Sequence, residues 1–82
     1  CEGRGQVRTA QTVCYEIFRE ILRQHRQFSF EGLMVLAHQD VIELLLDEES
    51  AGLAELEELT GKPIRLQTES LYAQDHFDVV LL

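Results

Sequence analysis

The first five residues have the composition of half a metal site. Cys1-x-Gly3-x-Gly5 sets a thiol ahead of two glycines. Glycine lets a backbone curl until its N–H groups point at a metal-bound sulfur. Zinc takes four ligands, most often from paired Cys-x-x-Cys elements. Only one cysteine stands here, because Cys14 falls inside a helical pattern. Read from the residues alone, Cys1 is a free thiol in an arm.

Other chemistry-bearing residues are scattered. His25, His38 and His76 have no i, i+4 partner and no cysteine at ligand spacing. Asp47-Glu48-Glu49 and the pair Asp75 and Asp78 could hold a divalent cation, yet neither follows an EF-hand or a hydrolase carboxylate pattern. A solvated acidic turn is the plainer reading. There is no phosphate-binding glycine loop, nucleophile elbow or Cys/His pair, so no catalytic constellation emerges. Arg19, Arg23 and Arg26 fall at i, i+4, i+7 and share one helix face, which could meet phosphates or an acidic partner. Pairing of Glu16 with Arg19 and of Glu20 with Arg23 is the competing use of those cations.

These residues belong to an 82-residue chain, long enough for one small domain that buries roughly 60% of its unfolded surface. No run approaches the ~18 apolar residues of a membrane span. Two cysteines make no disulfide framework, which points to a reducing, cytoplasmic setting. The net charge of −8 hides an asymmetry. Residues 1–26 carry five arginines against three acids, and residues 27–82 carry two cations against twelve acids. Any contact with RNA would have to use the basic end, meaning Arg4 and Arg8 in the arm or the Arg19/Arg23/Arg26 face.

The expected organisation is an arm over 1–11 and a small domain over 12–82. From Thr12, the series Val13, Ile17, Ile21 runs beside Cys14, Phe18, Leu22 as a wide apolar stripe, with Thr9 or Thr12 as N-cap. Gln27 to Gly32 reads as a loop whose Phe28 and Phe30 plug the core edge. Leu33 to Ala37 reads as a strand covered on both faces or central in a sheet. Asp40 and Glu43 suggest a capping box opening a second helix, with Val41, Ile42 and Leu44 to Leu46 as its apolar residues. A third helix from about Ser50 to Thr60 turns Leu53, Leu56 and Leu59 inward and stops at Gly61 and Pro63. Ile64 to Glu69 alternates as a half-exposed strand with Ile64, Leu66 and Thr68 on one face. Phe77 to Leu82 is a last strand with Phe77, Val79 and Leu81 inward. The fold class is α+β, in the order α-β-α-α-β-β, with helices laid on a small three-stranded sheet.

Three stretches, "CEGRGQVRTAQTVCYEIFREILR", "LAELEELTGKPIRLQTESLY" and "DHFDVVLL", together resemble the C-terminal part of bacterial members of the ribonuclease E/G family. The likeness covers essentially the whole chain. It implies a parent that is a magnesium-dependent, single-strand-specific endoribonuclease sensing RNA 5′ ends, active in rRNA 5′-end maturation and RNA turnover. In that family a zinc ion is shared between two protomers through a Cys-Pro-x-Cys link. Cys1 matches its second cysteine, and the first would lie three residues upstream, so residues 1–11 would be the remnant of that link. The resemblance further implies a homo-oligomer joined through the link and the small domain. It carries over no catalytic aspartate. The fragment is then expected to serve subunit assembly, without catalysis and without holding Mg2+ or Zn2+ tightly by itself.

The alternative is an auxiliary RNA-binding module using Arg4, Arg8, Arg19, Arg23 and Arg26. A KH-like module would carry a Gly-x-x-Gly loop, which is missing. A co-chaperone zinc finger would repeat Cys-x-Gly-x-Gly, which occurs once.

Overall fold

The structure, a computed structural model, describes residues 9–82 of the chain. Thr9 is extended, and its hydroxyl accepts the Thr12 N–H at 3.1 Å. That cap satisfies one of the free donors of helix α1, Ala10–Gln27. The helix therefore starts two residues before the stripe becomes visible in sequence, and Thr9 rather than Thr12 closes it. The stripe is the buried face: Val13, Cys14, Ile17 and Ile21 are fully buried. His25 and Arg26 occupy the last turn, where a positive charge opposes the helix dipole.

Strand β1, Leu33–Ala37, leads to α2, Gln39–Leu46, and α3, Ser50–Thr60, and then to β2, Ile64–Thr68, and β3, Phe77–Leu81. The order of elements agrees with the α+β reading. The sheet order is β2-β1-β3. β1 pairs in parallel with β2, so the α2–α3 pair forms the crossover that such a pairing demands. β3 returns antiparallel on the other side, with Leu33 opposite Leu81 and Ala37 opposite Phe77.

β1 is thus central, but helices cover only one of its faces. Leu33, Val35 and Ala37 are fully buried, whereas Met34 and Leu36 are half-buried. The open face continues through Arg65, Gln67, Asp78 and Val80, all exposed. Burial of Ile17, Ile21, Leu33 and Leu45 against the covered face contributes about 1.5–3 kcal/mol for each side chain.

Several expectations are corrected. Phe30 enters the core, but Phe28 ends α1 in an extended conformation and is 54% exposed. The cap of α2 is His38, whose Nδ1 accepts the Asp40 N–H at 3.1 Å. Asp40 instead sits in the first turn, and Glu43 accepts from Gln39 at 2.8 Å rather than reaching back to a cap. Leu59 is 63% exposed, and Leu46 and Thr68 also face solvent. Gly61 ends α3 at φ 70, the left-handed conformation that glycine adopts without a Cβ penalty. The Thr60 hydroxyl donates to the Leu56 carbonyl at 2.8 Å and accepts the Lys62 N–H at 3.3 Å. The side chain of Glu57 accepts the Ile64 N–H at 2.9 Å, so the helix ties itself to the first residue of β2.

Candidate functional site

The residue types singled out in the sequence are distributed over separate places. Cys1, Arg4 and Arg8 lie outside the described residues. Arg19, Arg23 and Arg26 do share the outer face of α1, and all three are exposed. They are not equivalent. Arg23 grips Glu20 through two bonds, Nε to Oε1 at 3.1 Å and Nη2 to Oε2 at 3.0 Å. Gln24 adds a third donor to Glu20 at 2.6 Å. The Arg23 hydrogen bond, then that of Gln24, holds the Glu20 carboxyl below its ordinary range and raises the guanidinium in return. Arg19 and Arg26 make no ion pair among the described residues.

Of the acidic candidates for a cation site, Glu49 and Asp78 are held in structural bonds. Glu49 accepts from Gln11 at 3.2 Å and from the Tyr15 hydroxyl at 3.4 Å, which pins the first turns of α1 to the α2–α3 turn. Asp78 accepts from Tyr72 at 2.6 Å and lies 3.5 Å from His76, whose ring meets Tyr72 edge-on. The Asp78 bond raises the Tyr72 phenol. Gln74 donates to Asp40 at 3.3 Å, and His38 lies 3.8 Å from the same carboxylate. These groups gather a polar cluster beyond the C-terminal end of β1. Among the described residues no three His, Cys, Asp or Glu side chains come together as a metal would require.

Cys14 offers no reactive thiol. Its sulfur is fully buried and donates weakly to the Val41 carbonyl at 3.8 Å. Burial, with a smaller contribution from the Glu49 charge, pushes the thiol up to about 11. A thiol of that kind is neither nucleophile nor ligand at neutral pH.

What the sequence did not show is a groove of about 600 Å³ between α1 and α3. Phe18, Leu22, Gly52, Leu56 and Leu59 give it an apolar lining, and Glu55 and Glu58 stand along its α3 side. Gly52 was the available signal. A glycine inside a helical pattern marks a close approach, and here a Cβ would come within 2.9 Å of the Phe18 ring. No helix of the described residues is long and apolar enough to cross a membrane.

Comparison with known proteins adds two findings. Residues 1–81 match the family described as RNase E/G, thioredoxin-like domain. The chain is also 49% identical over 82 residues to ribonuclease G of Salmonella typhimurium (strain SL1344) and of Escherichia coli (strain K12). Ribonuclease G of Haemophilus influenzae is 49% identical over 83 residues. In each case the match takes in 100% of this chain and 17% of the relative, so the chain spans about a sixth of their length. The match does not support the C-terminal placement expected above.

Proposed function

The chain belongs to the RNase E/G family, and from that premise we propose that it is a non-catalytic assembly domain of an endoribonuclease. The observation that carries this reading is the likeness to ribonuclease G over the whole of this chain. The parent acts as a hydrolase on single-stranded RNA, with magnesium supplied at residues outside this chain. Its work is rRNA 5′-end maturation and RNA turnover in the bacterial cytoplasm. Cys1 serves as one ligand of a zinc ion shared with a second protomer, paired with a cysteine upstream of it. Cys14 is sealed in the core and takes no part.

The thioredoxin-like description does not bring thiol–disulfide chemistry with it, because a fold does not fix a function. Such chemistry needs two neighbouring cysteines, one of them acidified, for instance by a helix N-terminus. The helix that follows β1 begins His38-Gln39-Asp40-Val41, and the sequence holds no Cys-x-x-Cys.

Two measurements test the proposal. Incubation of the chain with 5′-monophosphorylated single-stranded RNA and magnesium yields no cleavage; activity that survives repurification overturns the non-catalytic role. The solution mass of a chain extended upstream through the missing cysteine doubles with zinc and reverts on chelation. Zinc-independent monomers of that longer chain overturn the bridging role of Cys1.

A further inference from the structure

Strand β2 is an edge of the sheet, and its ladder to β1 uses only alternate residues. The Pro63 carbonyl accepts the Leu33 N–H at 2.9 Å, and the Glu69 N–H donates to the Ala37 carbonyl at 2.9 Å. In a parallel pairing of this register, Arg65 and Gln67 make the bonds between those two. Ile64, Leu66 and Thr68 therefore turn their backbone groups away from β1. The Glu57 carboxylate takes the Ile64 N–H at 2.9 Å and closes the edge at that end. Beyond it, the Ile64 carbonyl, both groups of Leu66 and the Thr68 N–H have no hydrogen-bond partner among the described residues. An open row of alternating donors and acceptors is a template for one more strand. The charged residue within β2, Arg65, does not guard it, because its side chain lies on the open face of the sheet.

A second groove, of about 520 Å³, runs beside this edge where α2 and α3 meet β2. Ile42, Leu46, Leu53 and Leu66 give it an apolar lining, and Leu46 is 64% exposed. Alternate side chains of an added strand would drop into it. The charge around it is of one sign. Glu57 lines the groove, Asp47 and Glu48 follow Leu46 in sequence, and no basic residue is in the lining. The backbone groups thus fit an extended chain, and the groove with its acids fits apolar side chains flanked by basic ones. A second copy pairing through the same edge would set these acids against themselves, and RNA phosphates would meet the same repulsion. We infer that the β2 edge and this groove form a docking site for an extended peptide segment of a partner protein. That segment adds a strand beside β2, with apolar residues at alternate positions and lysine or arginine next to them. The inference goes beyond the assembly role and does not depend on Cys1.

A synthetic peptide, KVTVTVK, titrated into the 82-residue chain by calorimetry at low salt provides the test. It should bind, and hydrogen exchange should slow at the Leu66 and Thr68 amides, the donors that an added strand would cover. The same peptide with every backbone nitrogen methylated keeps its side chains and loses its donors, and should bind at least about tenfold more weakly. EVTVTVE should lose at least about tenfold as well, because its ends meet Glu57, Asp47 and Glu48. Leu66→Pro removes an outward N–H from an edge strand, where a sheet tolerates proline, and should weaken KVTVTVK to a similar extent. If that variant loses its circular dichroism, Leu46→Lys, at an exposed side chain, carries the same test by placing a cation in the groove. The inference is overturned if KVTVTVK does not bind, or if the methylated peptide or the variant binds as tightly. Leu66 and Thr68 amides that stay unprotected in the complex overturn it too. Protection already present without peptide and lost on dilution would make a second copy the occupant and sink the peptide reading. Single-stranded RNA in place of the peptide should leave both amides unprotected, and protection by RNA would count against a protein partner.

Discussion

Cys14 shows how completely a residue's surroundings can remove its chemistry. The same thiol that would be nucleophilic on a surface here packs among Val13, Ile17 and Val41 in the core and meets one carbonyl. Native protein should leave Cys14 unreactive toward a disulfide reagent, and unfolding in urea should release one more reactive thiol; rapid native labelling would contradict the burial. The raised value also predicts a pH dependence. In the unfolded chain the thiol titrates near its ordinary 9.0, and in the fold it keeps its proton to about 11. Between those values the unfolded state holds fewer protons, so stability falls as pH rises through this window and is fully present below it. Urea midpoints should decline from pH 9 to pH 11, and Cys14→Ala should flatten that decline. Gly61 is constrained differently, by conformation alone: nothing lies within 4 Å of a Cβ there, yet its φ is +70. Gly61→Ala should therefore cost roughly 1–2 kcal/mol in denaturant unfolding through backbone strain.

Elements are held mainly at their ends and along one stripe each. The N-terminus of α2 depends on the imidazole of His38 as acceptor for the Asp40 N–H. His38→Ala should destabilise the domain by about 1 kcal/mol and His38→Asn should retain most of that, as chemical denaturation would show. Equal losses for both would mean that the cap contributes nothing. How far such elements could be read beforehand varies with their pattern. The α1 stripe was legible because Val13, Ile17 and Ile21 keep to i, i+4 spacing within an 18-residue helix, and burial follows that spacing. The α3 pattern was not. Leu53, Leu56 and Leu59 step by three residues, and each step of about 300° carries the side chain about 60° around the helix. Leu56 lands in the core, Leu53 packs at its edge and Leu59 swings out to the groove. Capping preference pointed to Asp40 because Asp outranks His in the rule, which holds no information about the turn that brings His38 Nδ1 into reach. Similarly, Phe28 and Phe30 are the same residue type two positions apart, and the sequence alone does not say that Phe28 caps α1 at the surface while Phe30 enters the core. The groove needed two elements in contact, so single-helix periodicity could not display it.

For the whole molecule the decisive quantity is charge and its placement. Residues 27–82 hold twelve acids against Lys62 and Arg65. On the α1 face, Arg19 and Arg26 are left without an acidic partner among the described residues. A non-specific RNA site depends on several phosphate contacts made together, with affinity falling steeply as salt rises. Arg19 and Arg26 alone, beside a strongly negative body, fall short of that requirement, so an RNA site on the α1 face would work against the charge distribution. In a gel-shift or filter-binding titration the chain should retain single-stranded RNA no better than about 10⁻⁴ M near physiological salt, the weak end of non-specific binding. Arg19→Ala with Arg26→Ala should leave that residual binding unchanged, and tight, salt-sensitive retention lost in the double variant would assign the arginine face to RNA.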